Sequence, residues 1–404
     1  MEDKKILDIT KDVKWIGVLD PDIRTFDIVM ETKFGTTYNS YFINAEKKTV
    51  VEATKEKFWD VYLEKLKRLV NPEEIEYIIM NHTEPDHSGN AINLLKIAPK
   101  AKIVGTGSVI RFMTDLMNME FPHIIVKDGD TLDLGNKTIR FINAPNLHWP
   151  DTMYSYLEED KVLFTCDSFG AHFCHPEMYD DKVGDFEEAF KYYFDVILKP
   201  FSKFMLKGIE KIRPLEIRAI CTGHGPLLTH DWKKYVDLSE KYTQQAVSYP
   251  KKGKLLIAYV SAYGKTKMLA ESIAKGAAQV DGIETDLCDI EKLSAGDLDF
   301  KLTEANGFVI GSPTINQNIL LQIYTLFALI NPIRDKGKLA GCFGSYGWSG
   351  EAQKIIPANL SALKLNVVPE SIFVKFTPSE EDLKKCAEYG KNLASKMLET
   401  TSII

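Results

Sequence analysis

The sequence predicts an α/β protein made of two unlike domains, and three observations carry that prediction. From Leu255 onward, all-apolar strands alternate with amphipathic helices, the pattern of a parallel sheet covered on both faces. Before that point, short apolar runs with frequent turn signals are mixed with helices. All eight histidines (His82, His87, His123, His148, His172, His175, His224 and His230) lie in the first 230 of 404 residues. Only the first part therefore has the imidazoles to hold a transition metal.

In the first part, Tyr77–Met80, Lys102–Val104 and Thr138–Asn143 read as strands, and Lys55–Leu69 and Ser108–Met119 as helices. Three strands end at polar clusters: Ile75–Met80 before His82, Val162–Thr165 before Asp167, and Ile217–Cys221 before His224. Strand ends that deliver polar residues to one place are the usual geometry of a site carried on a sheet. A helix, Trp232–Ser248, leads into Tyr249-Pro250-Lys251-Lys252-Gly253-Lys254, whose Pro, Gly and charges mark a linker. The expected domains are 1–250 and 251–404. In the second domain the strands are Leu255–Val260, Glu284–Cys288, Gly307–Gly311, Leu339–Phe343 and Val367–Val374. The helices are Lys265–Val280, Ile319–Ile330, Glu351–Leu363 and Glu380–Leu398. Five such strands in about 150 residues suit a doubly wound parallel sheet.

Composition narrows the function. With 57 acidic and 50 basic residues the formal charge is −7, which argues against a general binder of nucleic acid or anionic membrane. The six cysteines form no C-x-x-C pair, so a zinc ribbon, a ferredoxin motif and a rubredoxin knuckle are unsupported. Scattered cysteines and a polar start, MEDKKILDITKD, point to a reduced cytoplasmic protein. No apolar run approaches the length of a membrane span.

The densest chemical signal is Asn81-His82-Thr83-Glu84-Pro85-Asp86-His87-Ser88-Gly89, which sets four possible ligands in six residues just after an apolar strand. In a turn, positions 82 and 84 can face one side while 86 and 87 reach another, so one loop can feed two metals. Further along come Leu147-His148-Trp149-Pro150-Asp151, Thr165-Cys166-Asp167-Ser168 and Thr222-Gly223-His224-Gly225-Pro226. A second constellation opens the second domain. Ser261-Ala262-Tyr263-Gly264-Lys265-Thr266 joins a strand to a helix N-terminus, a place where hydroxyls and amides bind an anion. It has neither Walker nor G-x-G-x-x-G spacing, which argues against a dinucleotide. Two more loops follow later strands: Gly311-Ser312-Pro313-Thr314-Ile315-Asn316, and Gly344-Ser345-Tyr346-Gly347-Trp348-Ser349-Gly350. Trp348 and Tyr346 offer faces for a planar ring.

The first constellation resembles the H-x-H-x-D-H signature of the metallo-β-lactamase superfamily, with Glu84 in place of the second His. The three later elements follow in that superfamily's order over about the first 250 residues. The resemblance implies an αββα sandwich in which His82, Glu84 and His148 hold one metal. Asp86, His87 and His224 hold a second, and Asp167 bridges them. A carboxylate bridge lets two cations sit about 3.5–4 Å apart, and Glu84 shifts the donor set toward oxygen, favouring iron over zinc. His172 is a candidate to line the pocket and donate a proton or hydrogen bond, and Trp149 and Tyr193 are candidate neighbours. His123 and His230 are expected at the surface, and Cys166 and Cys221 in the core. The three loops of the second domain resemble those of flavodoxins, which bind FMN. They make Ser261 to Thr266, Ser312 to Asn316 and Ser345 to Trp348 the candidate flavin contacts.

Together the halves resemble the flavodiiron proteins, or A-type flavoproteins. That resemblance implies a soluble reductase of dioxygen to water, or of nitric oxide to nitrous oxide, with two irons and FMN. It implies a separate electron donor, rubredoxin or a reduced deazaflavin coenzyme, because no C-x-x-C pair marks a fused rubredoxin. It also implies a head-to-tail homodimer that sets the flavin of one chain beside the irons of the other. The rival readings are a zinc hydrolase of the same superfamily and an electron carrier with a vestigial metal site. Glu84 and the flavodoxin-like half argue against the first, and the complete ligand set against the second.

Overall fold

The structure, a computed structural model, describes residues 5–26, 30–247 and 253–401. Contacts divide the chain into two compact units, Met1–Ser248 and Tyr249–Ile404. The expected linker falls mostly on residues 249–252, outside the described ones.

The first unit is an αββα sandwich. One sheet runs Leu7–Asp8, Val13–Trp15, Tyr41–Ile43, Lys48–Val51, Ile75–Ile79, Lys102–Gly105, His123–Ile125. The other runs Thr131–Asp133, Thr138–Asn143, Met153–Leu157, Val162–Cys166, Ala219–Thr222. Alternation along each strand builds the layers, since successive side chains point to opposite faces. Val51, Ile79 and Val104 point inward to meet Phe141, Phe164 and Cys221 of the second sheet. Their neighbours Val50, Ile78 and Ile103 point outward, against Tyr62 and Leu66 of the helix Trp59–Lys67 and Val109 and Met113 of Gly107–Met117. On the far side, Leu163 and Ile220 meet Phe190 of Glu187–Tyr193 and Met205 and Ile209 of Ser202–Ile212. A short antiparallel pair, Val18–Asp20 with Thr36–Tyr38, leads to Asn39, whose N–H donates to the Gly223 carbonyl and so ties this pair to the end of Ala219–Thr222.

The second unit is a five-stranded, all-parallel sheet ordered Ile283–Asp289, Gly253–Tyr259, Gly307–Gly311, Leu339–Tyr346, Asn366–Lys375. The strand order reverses between Gly253–Tyr259 and Gly307–Gly311, and open α/β sheets bind ligands at that point. Besides the single turn Pro332–Asp335, the helix Ala295–Glu304 was not anticipated. Few of its residues are buried, so its apolar rhythm is faint. Its signal is the cap: the Ser294 hydroxyl accepts the Asp297 N–H at 3.0 Å.

The helices Lys265–Ala277 and Glu380–Thr401 pack closely against each other at Gly276 and Gly390. A Cβ at Gly276 would overlap the Ala387 carbonyl, and one at Gly390 the Ile273 carbonyl. Backbone cannot give way as a side-chain tip can. Gly276→Ala and Gly390→Ala should each destabilise the second unit by about 1–3 kcal/mol. Denaturant unfolding followed by circular dichroism reads this, and wild-type midpoints would show that the helices can move apart.

Candidate metal centre and flavin cleft

The strand Ile75–Ile79 lies between two parallel neighbours, so its exit is held firmly. Asn81 follows it, and its carbonyl accepts the Met153 N–H at 2.9 Å while its side chain takes the Ser155 hydroxyl at 2.5 Å. These contacts fix the chain just before His82. The chain then turns into the single helical turn Pro85–Ser88, with Pro85 at the first helical position. The His87 N–H donates to the Glu84 carbonyl at 2.9 Å, and the Ser88 hydroxyl to the Thr83 carbonyl. This turn sends His82 and Glu84 one way and Asp86 and His87 the other. Asp167 and His224 come from the adjacent ends of the parallel strands Val162–Cys166 and Ala219–Thr222. A register shift lies between Phe164 and Cys166, and Cys166 adopts a φ of 48°. Non-glycine residues rarely hold that conformation, and it recurs at functional sites.

The seven residues expected as ligands converge in two groups around Asp167. His82 Nε2 and His148 Nε2 stand 3.2 and 3.1 Å from Glu84 Oε2, and each is 3.4 Å from Asp167 Oδ2. On the other side, His87 Nε2 and His224 Nε2 are 3.1 and 3.5 Å from Asp167 Oδ1. His224 Nε2 lies 3.2 Å from Asp86 Oδ2, and His87 Nε2 lies 3.5 Å from Asp86 Oδ1. Donors about 2.1 Å from a shared ion are separated by about 3.0–3.5 Å, so each group has the spacing of donors around one cation. The hydrogen-bond inventory agrees. Both Asp86 oxygens, both His87 ring nitrogens and Asp167 Oδ2 are buried without a hydrogen-bond partner. The approach of His87 Nε2 to Asp167 is close but not aligned as a hydrogen bond. Buried polar atoms left unsatisfied are costly unless something absent from the protein chain completes them.

Other residues hold these rings in place. The Asp151 carboxylate sits 3.4 Å from His82 Nδ1 and accepts the Thr83 N–H and hydroxyl at 2.9 and 2.6 Å. His224 Nδ1 lies 2.6 Å from the Thr37 carbonyl. The Tyr193 hydroxyl donates to Asp167 Oδ1 at 3.1 Å. His172 is buried, with Nδ1 2.9 Å from Thr36 Oγ1, and its ring lies between those of Phe26, Tyr193 and His224. Its Nε2 has no partner. Trp149 meets the His82 ring edge-on at 5.1 Å. His175 stays outside the cluster, accepting the Glu177 N–H, and His123 and His230 are exposed. Cys166 and Cys221 are buried. Sequence reasoning passed over Asp151, Thr36, Thr37 and Glu52. Glu52 follows the apolar strand Lys48–Val51, so the strand-end rule that found His82, Asp167 and His224 would have found it too.

Electrostatics follow from four imidazoles and three carboxylates out of water. Burial alone would pull His82, His87 and His148 down, but the carboxylates outweigh it. Asp151 and Glu84 push His82 to about 10, Asp86 and Asp167 do the same for His87, and Asp167 and Glu84 for His148. Against burial, His87 and His148 hold Asp167 well below the carboxylate range, and His148 and His82 hold Glu84 below it. Burial and then His224 pull His172 well down, so it is neutral. Burial and then Asp167 raise Tyr193, so its hydroxyl keeps its proton. Burial pushes Glu52 up to about 8, with His87 and His82 partly opposing it.

In the second unit, three loops and the end of the last strand enclose a cleft of about 450 Å³. Ala262, Tyr263, Lys265, Thr266, Pro313, Thr314, Ile315, Asn316, Ser345, Tyr346, Gly347 and Trp348, all from the three loops, line it. Thr266 Oγ1 and Ser345 Oγ are 2.9 Å apart across its floor. Ser261, Gly264 and Ser312 do not line it. The Ser261 hydroxyl accepts the Lys267 N–H, Gly264 turns into the helix at φ 75°, and the buried Ser312 hydroxyl donates to the Pro313 carbonyl. Ser349 of the third loop also lines it, and Gln317, Phe376 and Thr377 do so without having been anticipated. Trp348 and Tyr263 are 75% and 85% exposed, leaving large aromatic faces uncovered beside the cleft.

Residues 36–225 match the family described as ODP family beta lactamase, and 257–390 match Flavodoxin. A flavo-diiron protein, FprA2 of Clostridium acetobutylicum, is 39% identical over 394 residues, 95% of this chain and 97% of that one. The chain belongs to the flavodiiron protein family. A type A flavoprotein of Rhodobacter capsulatus is 35% identical over 95% of this flavodiiron protein and 90% of its own length. Among solved structures, the flavodiiron protein of Giardia intestinalis superposes with a TM-score of 0.76 at 28% identity, covering 98% of each chain. The rubredoxin oxygen:oxidoreductase of Desulfovibrio gigas gives 0.79 at 26% identity, covering 98% of this chain and 99% of that one.

Metal ligation needs neutral imidazoles. In the metal-free protein His82, His87 and His148 hold protons at neutral pH. The stability this adds is complete below about 6.5, their ordinary value, and is lost as pH rises through about 10. Adding ferrous or zinc ions to metal-free protein at pH 7 in weak buffer should therefore release protons, and metal affinity should rise with pH. A pH-stat titration showing no release would contradict the charge state described.

Proposed function

We propose that this chain reduces dioxygen to water, or nitric oxide to nitrous oxide, at a non-haem di-iron site recharged through FMN. The observation that carries the reading is Asp167, whose two oxygens face two separate groups of buried donors. In this reading His82, Glu84 and His148 hold one iron, Asp86, His87 and His224 hold the other, and Asp167 bridges them. Bound there, two irons would supply open coordination positions for a diatomic molecule and FMN would supply the electrons. The protein residues do the rest. Tyr193 keeps its proton on Asp167 Oδ1 and so orients the bridge. His172, neutral and with Nε2 unpartnered, offers a hydrogen bond inside the pocket. Phe26 and Tyr38, beside His172 and His224, keep bulk water from that wall. In the cleft, the Thr266 hydroxyl and the amides at the start of Lys265–Ala277 would hold the FMN phosphate. Trp348 and Tyr346 would offer their faces to its ring.

The electron donor in this reading is a separate molecule, rubredoxin or a reduced deazaflavin coenzyme. The rubredoxin oxygen:oxidoreductase relative supports the first. A head-to-tail homodimer would cover Tyr263, Trp348 and Phe376, whose exposure favours such a partner. No helix among the described residues is long and apolar enough to cross a membrane, and the free cysteines suit the cytoplasm.

Asp167→Ala should lose iron from both positions while keeping FMN, read by metal analysis and the flavin spectrum; retained iron would remove the bridge. Thr266→Val should weaken FMN about 10-fold or more, the worth of a hydrogen bond to a charged group, with iron unchanged. Fluorescence titration of flavin-free protein measures this, and wild-type affinity would sink the phosphate assignment. Anaerobic single-turnover mixing of reduced protein with each gas decides between dioxygen and nitric oxide.

A further inference from the structure

Among the imidazoles of the metal groups, His82 has a carboxylate against its outer nitrogen and His224 a backbone carbonyl. For His87 the structure shows no such contact: Nε2 faces Asp167 and Asp86, and Nδ1 is buried without a partner. A metal-bound imidazole needs an acceptor at its second nitrogen to fix its tautomer and orientation. Beside it stands Glu52, 1% exposed. A Glu52 carboxylate oxygen, a His87 ring nitrogen and Cys166 Sγ lie within 4.8 Å of one another. Glu52 Oε1 accepts the Asn81 N–H at 3.0 Å, whereas Oε2 is buried and unpaired. A buried carboxylate with one unpaired oxygen thus stands next to a buried ring whose nitrogens are both unpaired.

The backbone is set for this. Glu52 adopts a φ of 62° and Thr54 one of 58°, strained for residues with side chains. The Ala53 N–H donates to the His87 carbonyl at 2.7 Å, and the Ser40 hydroxyl to the Glu52 carbonyl at 2.8 Å. The Glu52 turn and the His87 turn are therefore clamped together.

We propose that Glu52 is a positioning residue of the metal centre: it accepts the Nδ1–H of metal-bound His87 and so presents Nε2 to the ion. The inference rests on His87 being a ligand, as proposed above. Glutamine cannot replace it. Its one oxygen can serve Asn81 or His87, and its amide group, turned toward Nδ1, would favour the tautomer with the proton on Nε2.

The test uses full-length protein, wild type, Glu52→Gln and Glu52→Asp, titrated anaerobically with ferrous ion against a chromophoric chelator. Wild type should take two irons. Glu52→Gln should bind one of them about 10–100-fold more weakly, with a changed Mössbauer doublet for that iron alone, and Glu52→Asp should recover most of the affinity. Thermal unfolding of the metal-free forms separates this from a folding defect. Equal iron affinity and unchanged doublets in Glu52→Gln would overturn the proposal while leaving the di-iron reading intact. Wild type without iron binding would overturn the reading beneath it. If Glu52→Gln does not fold, nitrogen-15 NMR of zinc-loaded wild type decides. A slowly exchanging, downfield-shifted His87 Nδ1–H supports the proposal, and one exchanging freely with water refutes it.

Discussion

The first unit depends on one constraint: a buried carboxylate, Asp167, must satisfy two sets of donors at once. Its two oxygens face different pairs of rings, and those rings come from different stretches of chain. Without counter-charge, gathering carboxylates and imidazoles out of water would be strongly unfavourable. In the metal-free protein, protons on His82, His87 and His148 supply that charge, and two cations would supply it more completely. The surrounding contacts share a purpose. Asp151 faces His82, Thr37 faces His224 and Tyr193 holds Asp167, so the Nε2 atoms and the bridge point inward before any ion arrives.

The second unit works by another principle. Its cleft is shaped by loops at the carboxyl ends of parallel strands, with hydroxyls on its floor and aromatic rings at its rim. Each unit has its own buried core. The division of chemistry, small molecule in one and planar cofactor in the other, follows the division of the chain.

Much of this was legible in the sequence because strand ends leave marks. His82, Asp167 and His224 each follow an apolar run, and the order of the motifs carried the sandwich. The alternation after Leu255 showed every strand of the parallel sheet. What stayed hidden had no such marks. Strands of two or three residues, such as Val18–Asp20 and Thr36–Tyr38, are too short for alternation to register, so Thr36 and Thr37 went unnoticed. Glu52 carried the right mark but stood alone, without neighbouring ligands to draw attention. Phe376 reaches the cleft through a left-handed turn after the last strand, and its N–H donates to the Tyr346 carbonyl. No local pattern announces a contact made so far along the chain. Ser261, Gly264 and Ser312 show the converse: residues inside a matching loop can serve its shape and stay off the cleft wall.

The donors are drawn from both sheets. His82, Glu84, Asp86 and His87 follow a strand of the seven-stranded sheet, whereas His148, Asp167 and His224 come from beside strands of the five-stranded one. An ion held between them rivets the two halves of the sandwich, and whatever binds only the folded form shifts the balance away from unfolding. Newly made chains that fail to acquire metal would open more often along that seam and meet proteases sooner. Cellular iron supply would then govern how long each copy survives as well as how fast it turns over.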